Sequence, residues 1–130
     1  MPLSFHPQPG TVAICDYATG FRPPEMVKAR PVVIISPRRR SSQLVTVVPI
    51  SSVVPSSIEP WHYELPPGAY PPARGPVWVK ADMIVTVALT RLDRIRGTGP
   101  GGQRIYQVFS LPASDMLAIT LAVKAALGLP

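Results

Sequence analysis

Short β-branched runs alternate with Pro- and Gly-rich breaks along most of the chain, which predicts many brief strands rather than long helices. Thr11 to Tyr17 is the first predicted strand, opened by Gly10, and both of its faces are largely apolar, as in a strand between layers. Residues 18–29 turn polar, charged and rich in Pro and Gly. They are predicted as a long loop, and loops of about a dozen residues in compact domains tend to carry function. Arg30-Pro31 begins a second strand through Val32-Val33-Ile34-Ile35. Pro31 has no N–H to give a ladder, which the first residue of a strand tolerates. Ser36 to Ser42 makes the turn, and a third strand from Leu44 closes on Val48-Pro49-Ile50-Ser51-Ser52.

Beyond this, residues 51–59 read as a polar loop and Trp61 to Leu65 as an edge-like strand. A second Pro/Gly loop, Pro66 to Pro76, carries Tyr70 and Arg74. Val77 to Asp82 and Ile84 to Leu89 read as two strand pieces with an irregularity near Asp82-Met83, and Trp78 falls among core positions. A glycine turn over residues 97–102 leads to Arg104-Ile105-Tyr106-Gln107-Val108-Phe109, which is expected to close the sheet. The one helix is predicted over residues 112–128. Pro112 suits its first turn, Ser114 and Asp115 suit the positive end of its dipole, and Gly128 and Pro130 stop it. It is apolar over most of its circumference, so its cover includes more than one core face. The whole predicts a mainly β chain with a C-terminal helix, a small and strongly bent antiparallel barrel, in one domain with residues 1–9 as an extended arm.

Composition narrows the partners. The 130 residues hold 13 Lys and Arg against 7 Asp and Glu, a net charge of +6, which suits a polyanionic partner. The single Cys15 makes no internal disulfide, and no Cys/His cluster offers a metal site. No basic segment followed by an apolar run marks a signal peptide, and the last apolar segment is shorter than a membrane span needs. A cytoplasmic protein without metal or other cofactor is expected.

Glu25 and Arg30 lie five residues apart at the mouth of the second strand, and the third strand returns Ser51 and Ser52 to the same end. Such a set suits phosphodiester chemistry: a carboxylate as base, a planar guanidinium on phosphate oxygens, a hydroxyl as hydrogen-bond donor. Plainer readings stand beside these. Glu25 pairs with Lys28 or Arg30 at the surface, and the serines form a turn. Arg38 and Arg39 at the hairpin tip are either solvated or in contact with a phosphate backbone. His62 is an acid–base group, a base contact or an edge-strand residue without a role, and Trp61, Tyr63 and Tyr70 have the rings to stack on unpaired bases.

Three stretches together resemble the MazF/PemK family of bacterial toxins: Gly10-Thr11-Val12-Ala13-Ile14, then Glu25 with Arg30-Pro31-Val32-Val33-Ile34-Ile35-Ser36-Pro37, then Val48-Pro49-Ile50-Ser51-Ser52. Val79-Lys80-Ala81-Asp82-Met83-Ile84-Val85-Thr86 and Arg91-Leu92 resemble its second signature. The resemblance covers nearly the whole chain and implies an SH3-like barrel, a homodimer, and a metal-independent ribonuclease that cuts single-stranded RNA within a short sequence. It places the catalytic arginine at Arg30, the catalytic hydroxyl at Ser52, where the family often has Thr, and a loop glutamate at Glu25. RNA contacts are expected from Lys28, Arg38, Arg39, Ser51, His62 and Tyr63, and a cognate antitoxin is expected across the RNA groove. The 2'-hydroxyl as nucleophile implies a 2',3'-cyclic phosphate and a 5'-hydroxyl as products. Two alternatives share the barrel: a CcdB-like toxin that binds gyrase, and a non-catalytic interaction module.

Overall fold

The structure is a computed structural model and describes residues 2–38 and 42–130. Three strands form its centre: β1 (Thr11–Cys15), β2 (Arg30–Ile34) and β3 (Leu44–Ser51). They are antiparallel, with Val12 opposite Val33 and Val33 opposite Val48. Successive residues point to opposite faces of a sheet, and here each face meets its own core. Val12, Val33, Val48 and Ile50 join one cluster; Ala13, Cys15, Val32, Ile34 and Val47 join the other. The near-continuous apolar runs of the sequence follow from this burial on both sides.

On its outer edge β3 takes two strands in succession. Ile50 pairs with Val79 of β5 (Trp78–Lys80), and Val47 pairs with Val85 of β6 (Val85–Ala88). A 3-10 turn at Ala81–Met83 separates them, at the irregularity expected near Asp82-Met83. Pro49 lies in the gap between the two partners, where a missing N–H removes no ladder bond on that edge. β4 (His62–Glu64) adds outside β5.

A second 3-10 turn, Leu89–Arg91, carries the chain from β6 to β7 (Leu92–Asp93), which pairs with β1 on the opposite side of the sheet. With β10 (Phe109–Ser110) beside β1, the strand order is β10-β1-β2-β3-β5-β4, an open path whose terminal strands do not pair.

The expectation for residues 104–109 needs correction. β8 (Ile95–Thr98) and β9 (Arg104–Gln107) form a separate two-stranded ribbon, and β10 (Phe109–Ser110) alone reaches β1. Gly101 and Gly102 adopt positive φ in the connection, which turns the strand back on its predecessor before it can join the sheet.

The helix α1 runs Ala113–Leu127 with Pro112 at its N-cap. Gly128 is left-handed at φ 70°, and the Leu129 N–H bonds back to the Lys124 carbonyl at 2.8 Å. Ile119 and Ala122 bury into the first core, while Leu117 and Leu121 remain 65% and 59% exposed. The N-terminal arm is tied down, because the Leu3 N–H bonds to the Leu92 carbonyl and Leu3 and His6 are buried. No helix of the described residues is long and apolar enough to cross a membrane.

Candidate active site

Antiparallel pairing brings Arg30 and the two serines together. β2 and β3 pair Val32 with Pro49, so the first residue of β2 and the last of β3 lie at one end of the ladder. There Arg30, Pro31, Ile50, Ser51, Ser52 and Val77 line a cleft of about 120 Å³. Ser51 is buried, and its hydroxyl accepts the Val53 N–H at 3.1 Å, which fixes the turn after β3. Ser52 is exposed. Among the described residues, neither the Arg30 guanidinium nor the Ser52 hydroxyl is held by a hydrogen bond or ion pair, so both retain donors for a ligand. Arg30, half-buried as a residue, suits an anionic tetrahedral group, since its planar guanidinium fork spans two oxygens.

Glu25 is placed elsewhere. Its carboxylate accepts the Arg22 N–H at 2.7 Å while its own N–H donates to the Arg22 carbonyl at 2.8 Å, closing a local turn. It lines a second cavity of about 300 Å³ with Tyr17, Phe21, Met26 and Asp82 rather than the Arg30 cleft. The loop that carries it is anchored by Phe21, whose ring meets Tyr17 edge-on at 5.1 Å and lies 4.8 Å below the Arg91 guanidinium. Arg91 also donates to the Asp16 carbonyl at 2.9 Å. Nothing in the sequence signals this clamp, because Arg91 lies far along the chain from Tyr17 and Phe21.

Of the other candidates, Lys28 and Arg38 are exposed, and Arg39 lies outside the described residues. His62 faces Lys80 across the β4–β5 ladder, and its Nδ1 accepts the Glu59 N–H at 3.0 Å, leaving Nε2 for other contacts. Tyr63 donates its hydroxyl to Asp115 of α1 at 2.6 Å. That carboxylate, with burial as the lesser cause, pushes the phenol up to about 12. Asp115 itself is only 3% exposed, so the dipole role read from its place in the first turn is joined by a tertiary bond. Trp78 is buried, as expected of a core residue. Among the described residues, no group of three or more His, Cys, Asp or Glu gathers to hold a metal ion.

A third and larger cavity, about 680 Å³, is lined by the 66–76 loop and the residues flanking it, Tyr70 and Arg74 among them. Val77 lines both this cavity and the Arg30 cleft and forms a wall they share.

This architecture is similar to that of MazF from Deinococcus radiodurans, with a TM-score of 0.70 at 17% identity over 97% of this chain and 100% of that one. An endoribonuclease from a mycobacterial species gives 0.65 at 24% identity, over 96% of this chain and 94% of the other. A mycobacterial endoribonuclease in complex with its cognate antitoxin gives 0.64 at 26% identity, over 95% and 97%. Comparison with curated proteins gives no match. The sequence model of the PemK-like, MazF-like toxins of type II toxin–antitoxin systems matches residues 8–127, and the chain belongs to that family.

Proposed function

We propose that the protein is a toxin that cleaves single-stranded RNA at the Arg30 cleft. The observation that carries this reading is the half-buried residue Arg30, its guanidinium without a partner among the described residues, in one cleft with Ser51 and Ser52. RNA contains its own nucleophile, so the protein need only take a proton, stabilise charge on phosphorus and let the leaving oxygen depart. The 2'-oxygen bonds to phosphorus as its proton passes to a carboxylate base. The P–O5' bond then breaks, and the 5'-oxygen leaves with a proton from solvent.

Arg30 holds the non-bridging oxygens and Ser52 donates to one of them. Arg30 acts as a charge clamp rather than an acid, because a guanidinium keeps its proton to beyond pH ~12. Glu25 is the base, brought to the phosphate by a shift of its loop when RNA binds. Lys28, Arg38 and Arg39 contact the RNA backbone, and His62 lies further along the strand's path. No step in this chemistry calls for a metal ion.

The sheet is read as an incompletely closed SH3-like barrel in a single domain. The crossing from β6 to β7 supports this, since it joins the two sides of the sheet through one short turn. The protein acts in the cytoplasm as a homodimer under the control of a cognate antitoxin. A related mycobacterial endoribonuclease bound to its antitoxin supports that partner.

The test is end chemistry. Purified protein incubated with a long single-stranded RNA in chelator should yield discrete fragments with 5'-hydroxyl and 2',3'-cyclic phosphate ends. Intact RNA, or 5'-phosphate ends, would overturn the reading.

A further inference from the structure

We infer that the cavity lined by the 66–76 loop is a guanine pocket, which seats one base of the RNA beside the scissile phosphate and sets part of the cleavage preference. The inference rests on the RNA-cleaving reading above. Its geometric basis is position. Leu65 donates its N–H to the Val77 carbonyl, Ser51 pairs with Trp78, and Trp78 pairs with Glu64, so the loop leaves the sheet at the same end as the Arg30 cleft. Val77 forms part of both walls, so a strand whose phosphate lies on Arg30 can lay a flanking base into the neighbouring cavity.

The side chains there select a base. Glu64 and Arg74 both line the cavity, both are exposed, and neither side chain is held by a hydrogen bond or ion pair among the described residues. A carboxylate needs two adjacent donors and a guanidinium fork needs two adjacent acceptors. Guanine offers both, with N1–H and N2–H on one edge and O6 and N7 on the other. Adenine offers no adjacent acceptor pair to the fork. Cytosine presents adjacent acceptors at O2 and N3 but no adjacent N–H pair for the carboxylate, and uracil presents neither pair.

Tyr70 also lines the cavity, half-buried and set edge-on to Phe109 at 6.3 Å, and supplies an aromatic surface for stacking. Pro66, Pro67, Pro71 and Pro76 fix φ along the loop, and turns close from Pro66 to Ala69 and from Tyr70 to Ala73. The pocket is thus formed before RNA arrives, which spares the ordering cost a flexible loop would impose.

The experiment reads cut sites. A randomised single-stranded RNA pool cut by the wild-type protein, with fragment ends sequenced, should show guanine at one fixed position near the scissile bond. Glu64→Ala and Arg74→Ala should each lower the guanine-to-adenine cleavage ratio at that position by about tenfold. In a defined substrate, 7-deazaguanosine there should slow the wild-type protein but not Arg74→Ala, and inosine should slow the wild-type protein but not Glu64→Ala. Unchanged base profiles in both variants would overturn the pocket while leaving RNA cleavage standing. If the wild-type protein cuts no RNA, filter binding of guanosine-containing and adenosine-containing oligonucleotides tests the pocket separately. A guanosine preference lost in both variants would support it, and equal affinities would overturn it.

Discussion

Arg30, the first residue of β2, and Ser51, the last of β3, stand at one end of the antiparallel ladder that pairs Val32 with Pro49. Their proximity is a product of register. A slip of one residue between these strands would exchange the two cores and remove the cleft together. Cleft geometry and packing are therefore specified by the same pattern of Val and Ile.

Glu25 is the proposed base yet is bonded to the Arg22 N–H and lines a different cavity. If the loop carries it to the phosphate, Glu25→Gln should lower the cleavage rate by about 100-fold or more and abolish the acid limb of the pH–rate profile. A rate and profile equal to the wild type would assign the base to another group.

The Tyr63–Asp115 bond fastens α1 to β4. Tyr63→Phe leaves a buried carboxylate without this donor and should destabilise the fold by about 1–3 kcal/mol, read by urea denaturation. The bond also makes stability depend on pH. The folded-state phenol is raised to about 12, so this contribution is fully present below the ordinary tyrosine range near ~10 and is lost as pH rises through about 12. The alkaline loss of stability between these values should be smaller in Tyr63→Phe than in the wild type.

Cys15 is fully buried in the second core, and burial pushes its thiol up to about 11. Because the thiolate is the reactive form, iodoacetamide at neutral pH should leave Cys15 unmodified in the folded protein and modify it in denaturant, as read by mass spectrometry. Rapid modification without unfolding would contradict the packing around β1.

Much of this was legible in the sequence where periodicity and strand order speak. The run after Pro31 marks β2, the apolar residues before Ser51 mark β3, and two adjacent antiparallel strands must return Ser51 and Ser52 toward Arg30. The capping glycine and the apolar stretch before it mark α1. Legibility ended where position depends on side chains far apart along the chain. Glu25 sits in a loop without periodicity, held by Phe21 against Tyr17 and Arg91. Tyr63 reads as an exposed stacking ring on an edge strand until α1 brings Asp115 to its hydroxyl. The ribbon of β8 and β9 was missed for a different reason, since an apolar-alternating strand carries no mark of whether it joins the main sheet or pairs only with its neighbour.

The central claim is that the Arg30 guanidinium stabilises the phosphate as RNA is cut. The most direct measurement is the single-turnover cleavage rate of one fluorescent single-stranded RNA by the wild type, Arg30→Lys and Arg30→Ala, with folding of each checked by circular dichroism. Losing a preorganised donor at a developing charge is expected to slow the reaction by about 100- to 1,000-fold in Arg30→Ala. Arg30→Lys should recover only part of that loss, because a point charge replaces the fork. Equal rates for the folded wild type and Arg30→Ala would contradict the account.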